Sequence, residues 1–210
     1  MKQEKKEKRV QPSSKKIEES LSYSVVVRDK EGRVIQQISA PSRSYVASWN
    51  QTIRSQADTG LPYTAIIDTG GVARDIQCTA LNFRASAAIG VILYGLRVGK
   101  GFTPVAIDDF ALETPCGQGI GVDAFEHQGV TFTVPAVVGP TCSFTIKRIF
   151  INNSLATISD IREIGCYHFT QYYPGAVSAY FLGFRDVLPG AVNVPNGGSI
   201  TVTYTIAATV

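Results

Sequence analysis

The residues of this 210-residue chain that could do chemistry are few: two histidines, four cysteines, and short acidic and glycine-rich runs. A Ser-His-Asp relay needs a histidine beside a serine presented on a sharp turn, and no G-x-S-x-G elbow occurs. His168, in Gly165-Cys166-Tyr167-His168-Phe169, falls on an expected strand, where alternation places it on the same face as Cys166. Two ligands do not complete a metal site, so His168 reads as structural, and nothing near His127 suggests more. Gly99-Lys100-Gly101 and Gly117-Gln118-Gly119-Ile120-Gly121 match neither the P-loop nor the dinucleotide fingerprint, and no helix follows to hold phosphate, so both read as turns. Asp108, Asp109, Glu113 and Asp123 lack the D-x-D-x-D spacing that wraps calcium and read as a solvated loop. Cys78, Cys116, Cys142 and Cys166 form no CxxC pair and read as free thiols of a reducing compartment. Asn50-Gln51-Thr52 and Asn152-Asn153-Ser154 fit the glycosylation pattern but mean little without a secretory signal. No catalytic, cofactor-binding or metal-ligating residue is assigned, and no cofactor is expected.

One further segment could be catalytic. Ala65-Ile66-Ile67-Asp68-Thr69-Gly70-Gly71 resembles the active-site loop of aspartic proteases, including the homodimeric retroviral-like type, in which twin Asp residues share a proton across a water. That chemistry also needs a glycine-rich flap and an apolar-apolar-Gly support. Ala88-Ile89-Gly90 follows Asp68 too closely for a half-barrel and flap to intervene. The preferred reading is a tight turn between strands at 63–67 and 74–78, with the protease as a lesser alternative.

The body around these residues reads as β structure. Nineteen Gly and ten Pro, few strong helix formers after residue 60, and 44% hydrophobic with 18% charged residues describe a folded domain of short strands and turns. Residues 1–19 hold seven Lys or Arg and four Glu, the whole net charge of +3, leaving a neutral body. A basic arm on a neutral body argues against a nucleic-acid-reading domain, which would carry its basic face on the fold. The start, MKQEKKEKRV, lacks the apolar core of a secretory signal, and no run of about 18 apolar residues suggests a membrane span. Residues 1–20 are expected to be a flexible charged arm, and residues 21–210 a single domain.

Ser24–Asp29 and Arg33–Ile38 read as a β-hairpin turning at Lys30-Glu31-Gly32. One helix is expected near 43–57, with Tyr45, Val46, Trp49 and Ile53 inward and Ser48, Asn50, Gln51 and Arg54 outward. Strands follow at 64–68, 74–83, 89–98, 130–135, 143–152, 158–169, 178–186 and 199–207, the last alternating strictly. The expected fold is mainly β, an antiparallel, jelly-roll-like sandwich with one short helix and no internal repeat. Residues 99–129 are its long irregular loop.

Gly99-Lys100-Gly101-Phe102-Thr103-Pro104 with Asp109-Phe110-Ala111-Leu112-Glu113 fits the pattern GxGxTPxxxxDxxLE. It is followed by Phe144–Ser154, by ISDIREIGCY over 158–167, by Phe184-Arg185-Asp186-Val187-Leu188-Pro189, and by Gly197–Ile206. In order and spacing this resembles the virion structural proteins of tailed bacteriophages over residues 90–206, with the hairpin and helix at 23–55 also matched. Lys100 departs from a usually small or hydroxylated position, and Cys116 and Cys166 are departures too. The resemblance carries no catalytic residues. It implies a head, neck, tail or fibre subunit that forms homo-oligomers and contacts other virion proteins, assembled in the host cytoplasm into the virion, with no membrane. Interface candidates are Lys5, Lys6, Arg9, Lys15 and Lys16 of the arm, Lys100 and Phe102 of the loop, and Tyr172 and Tyr173. The alternative is a receptor-binding fibre or adhesin domain using an aromatic patch of Tyr172, Tyr173, Tyr180 and Phe181.

Overall fold

Period-two burial builds the first sheet. In β1 (Glu18–Arg28) Leu21, Tyr23, Val25 and Val27 are buried while the serines between them are half-exposed. β1 turns through Gly32, whose φ of +82° suits glycine, into β2 (Val34–Ser42). The computed structural model describes residues 18–42, 44–57, 65–76, 83–173 and 177–209. Within them follow α1 (Ala47–Ala57), β3 (Ala65–Ile67), β4 (Ala73–Ile76), β5 (Gly95–Gly99), β6 (Gly117–Gln118), β7 (Ala124–His127), β8 (Thr131–Phe132) and β9 (Ala136–Val138). The long strands β10 (Thr141–Ile151), β11 (Ile158–Tyr173), β12 (Val177–Val194) and β13 (Ser199–Thr209) complete the order.

The protein is mainly β, in two sheets. One runs β2-β1-β13-β10-β7-β6, with β8 and β9 also on β10; the other runs β12-β11-β4-β3, with β5 on β11. Every pairing is antiparallel except β6 with β7. Inward residues of both sheets form one core: Val25, Phe150 and Val202 from the first share a cluster with Ile164, Phe184 and Leu96 from the second. Face-to-face burial of this kind is the main stabilising term of such a fold.

Several expectations are revised. β1 begins at Glu18 and not at Ser24, reaching into the expected arm, because its register with β13 runs from Arg28↔Ser199 out to Glu18↔Thr209. The helix begins at Ala47, and its inward face is rotated from the apolar stripe. Ser48 and Thr52 are buried, while Ile53 is 44% exposed. Ser48 Oγ donates to Leu182 O and Thr52 Oγ1 meets His168 Nε2 at 3.2 Å, so polar anchoring to the sheet sets the rotation. Trp49 still packs on the core, between Tyr45 and Phe83 at ring separations of 4.7 Å. The strand expected at 89–98 is reduced to β5, and that at 130–135 to β8, with β9 following as an unexpected strand. The strand expected at 74–83 is described as β4 and from Phe83; residues 77–82 lie outside the described residues.

Candidate functional site

Asp68 closes the β3–β4 turn. Its Oδ1 accepts the backbone N–H groups of Gly70 and Val72, each at 2.9 Å, and its Oδ2 accepts Arg74 Nε at 2.8 Å. Burial works to raise the carboxyl's pKa, but the Arg74 and backbone donors override it and lower it. The turn reading of Asp-Thr-Gly therefore has a full structural explanation: this carboxylate is held ionised by an arginine.

Both histidines are fully buried. His168 stacks on Phe83 at 4.2 Å and on Phe181 at 5.7 Å, and burial pushes its pKa down to about 3. His127 lies edge-on to Phe150 with Nδ1 at 3.0 Å from Phe125 O, and burial likewise lowers it to about 3. Cys166 is in the inter-sheet core, where burial raises its thiol pKa above the ordinary range; Cys116 is pushed up to about 12. Cys142 is exposed, and Cys78 lies outside the described residues. Among the described residues no three His, Cys, Asp or Glu gather as a metal site. Asn152, buried with Nδ2 donating to Ala156 O and Val194 O, is occupied inside the fold.

The acidic residues of the 99–129 loop are not simply solvated. Arg185 on β12, whose side chain is 2% exposed, gathers two of them, Asp109 and Glu113, into one ionic cluster with Glu163 of β11. Its Nε meets Glu163 Oε2 at 2.9 Å, its Nη1 meets Asp109 Oδ2 at 2.9 Å, and Glu113 Oε2 lies 3.5 Å from its Nη2. Burial works to lower the guanidinium pKa, and the bonds to Glu163 and Asp109 raise it instead. Glu163, on β11, also accepts the backbone N–H groups of Gly101, Glu113 and Thr114 at 3.0, 3.0 and 2.7 Å. Glu113 in turn accepts from Phe102 and Thr103 N–H, each at 2.9 Å, and Tyr167 Oη accepts from Leu112 N–H at 2.7 Å. Asp123 instead pairs with Lys100.

This network explains the glycines that looked like a phosphate cradle. A Cβ at Gly99 would sit 2.5 Å from Glu163 Oε1, and one at Gly101 would sit 2.5 Å from Glu113 Cβ. The loop backbone must come this close for its N–H groups to reach the carboxylates. Gly101→Ala is accordingly expected to destabilise the fold by about 1–3 kcal/mol, as overpacking does, read as a lower urea midpoint at unchanged slope. No loss would mean that the loop does not rest on Glu163.

Two buried arginines were missed from the sequence. Arg148 on β10, 1% exposed, donates to Gln128 O, Leu96 O, Ala88 O and Val91 O at 2.7, 3.1, 3.3 and 2.6 Å. Arg97 on β5 donates to Ile92 O and Cys116 O. These guanidiniums draw the carbonyls of residues 88–92 inward, which is why that segment folds around them instead of extending as a strand. An arginine at an inward position of an alternating strand was the only available signal.

Of the interface candidates, Lys100 and Phe102 border a cavity of about 480 Å³ with Asp160 and Arg162, Phe102 being 69% exposed. Lys5, Lys6, Arg9, Lys15 and Lys16 lie outside the described residues, as do the side chains of Tyr172 and Tyr173. Tyr180 stacks on Tyr94 at 6.1 Å and Phe181 is fully buried, so neither forms the exposed aromatic patch an adhesin reading asked for. The β8–β9 ribbon, not singled out from the sequence, is an exposed apolar surface. All of residues 131–140 are exposed, with Val134 at 84%, Val137 at 72% and Val138 at 77%. No helix among the described residues is long and apolar enough to cross a membrane. In comparison with known proteins, no family model, no curated protein and no solved structure matches the chain.

Proposed function

We propose that this chain is a structural subunit of a tailed-phage virion that acts by assembling with copies of itself and with neighbouring virion proteins, and not as an enzyme. The observation that carries this reading is the β8–β9 ribbon. Residues 128–146 include no Asp, Glu, Lys or Arg, and β9 pairs only with β10 among the described residues. Exposed strand edges are usually blunted with charge, and an apolar, β-branched edge left open invites aggregation unless a partner covers it. Pro135 and Pro140 limit pairing along the edge but leave its apolar side chains in water.

Two further features support the reading. Four of the residues that carry the resemblance to phage virion proteins, Asp109, Glu113, Glu163 and Arg185, form the ionic cluster, where a rigid scaffold and not a reactive site would need them. Asp68, Asp109, Glu113, Asp123 and both histidines are each engaged in turns, stacks or ion pairs. The basic arm completes the picture as a segment that contributes affinity when a neighbour is present.

The test is deletion of residues 2–17, which spares β1. The expected result is a body with unchanged circular dichroism and unfolding midpoint that no longer enters the particle. Normal incorporation of the truncated chain would refute the role given to the arm.

A further inference from the structure

A second surface complements the arm. The loop carrying the ionic cluster leaves a groove of about 440 Å³ lined by Thr103, Asp109, Phe110, Glu113 and Arg185. Asp109 and Phe110 also line a neighbouring cavity of about 180 Å³ with Gln51, Ile67 and Asp108. Their floor is apolar and partly in water: Phe110 is 41% exposed and Ile67 is 39% exposed. Among the described residues that line them the charge is acidic, with Asp108, Asp109 and Glu113 around Arg185. The side chain of Arg185 is 2% exposed, with its Nη2 held 3.5 Å from Glu113 Oε2, so the cation lies beneath the rim and the carboxylates face outward.

We infer that this groove receives the basic N-terminal arm, residues 1–17, of a second copy of the chain. Those residues hold seven Lys or Arg against two Glu, a net of +5, whereas residues 18–210 hold thirteen basic and fifteen acidic residues, a net of −2. The arm is the one segment of the chain whose charge is strongly opposite to the groove's. Lysines at 5, 6, 15 and 16 meet the carboxylates at the rim, and their aliphatic stems lie on Phe110. Seventeen extended residues reach about 56 Å, more than the width of a domain of this size, so an arm can span to a neighbour's groove. Each copy then gives an arm and receives one, a head-to-tail contact that closes into a ring or continues as a filament.

This inference rests on the assembly reading, and the experiment separates the two. Full-length chain is mixed as equal parts unlabelled and ¹⁵N-labelled protein, treated with a carbodiimide that joins amines to touching carboxylates, and digested for mass spectrometry. Links between Lys5, Lys6, Lys15 or Lys16 and Asp108, Asp109 or Glu113 are expected, about half of them of mixed isotope, as random pairing of copies requires. In parallel, the full-length Asp108→Lys/Phe110→Ser variant is expected to weaken self-association about tenfold, and Lys5→Glu/Lys6→Glu to do the same. Single-isotope links alone would place the arm in its own groove and overturn the inference. An oligomer without arm-to-groove links would overturn it while leaving assembly standing; a monomer at every concentration would overturn both.

Discussion

Replacing Arg185 with Ala should lower the unfolding free energy by about 3–5 kcal/mol, the usual cost of removing one partner from a buried ion pair. Arg185 and Glu163 are 2% and 0% exposed at the side chain, so neither charge recovers solvent when the other is lost. Without the guanidinium, Glu163, Asp109 and Glu113 remain close together with no cation among them. The backbone N–H donors on Glu163 soften that cost but also tie it to the loop, so the 99–115 segment loosens with the core. Urea unfolding measures the effect, and limited proteolysis should cut first within that segment. Glu163→Gln combined with Arg185→Met should be less destabilised than Arg185→Ala alone, because it removes both charges together. A loss below about 1 kcal/mol for Arg185→Ala would show that the cluster contributes little, in line with an exposed ion pair.

The second large effect is acid sensitivity. His127 and His168 each titrate near 3 in the folded protein, below the ordinary 6.5, because burial disfavours the imidazolium. The unfolded chain therefore binds two protons that the native state refuses. Stability present above about pH 6.5 is lost as pH falls toward 3, at up to about 2.7 kcal/mol per pH unit from the pair. Asp186 acts in the opposite sense. Burial raises its pKa against its bonds from Ser42 and Tyr204 hydroxyls, so acid relieves its ionisation and offsets up to one proton. The net slope between about pH 6 and 4 should thus lie between about 1.4 and 2.7 kcal/mol per unit. Asp68 and Glu113, whose pKa values are lowered, add to the loss only below about pH 4. His168→Phe keeps the stack with Phe83 and Phe181 and should reduce the slope by about 1.4 kcal/mol per unit. A variant with the parent's pH dependence would mean that His168 is protonated in the fold.

What was legible in the chain was what depends on near neighbours. The Ile200-Thr201-Val202-Thr203-Tyr204 alternation and the Lys30-Glu31-Gly32 turn specify a strand and a hairpin locally, and both appear. The Asp-Thr-Gly turn was equally readable, since Asp68 bonds to residues two, four and six positions onward. Features set by distant partners were not. The face of α1 is decided by Leu182 O and His168, more than a hundred residues away, which override the apolar stripe. Residues 88–92 are bent by Arg148 from a strand still to come. The GxGxTP and DxxLE segments stood out as a pattern, but only the approach of β11 and β12 reveals them as backbone and carboxylates around Glu163 and Arg185. A strand was legible at 130–135, but not that β8 and β9 would pair with β10 alone and leave their other edge open among the described residues.

Sedimentation velocity of the full-length chain, from about 1 to 100 µM and at low and high salt, tests the assembly claim most directly, since specific interfaces of standard size associate within that range. The expected result is a discrete oligomer that weakens with salt, because the arm is the strongly charged segment, and that dissociates further when Val137→Lys places a charge on the β9 edge. A monomer throughout that range, or an oligomer untouched by both salt and Val137→Lys, would contradict it.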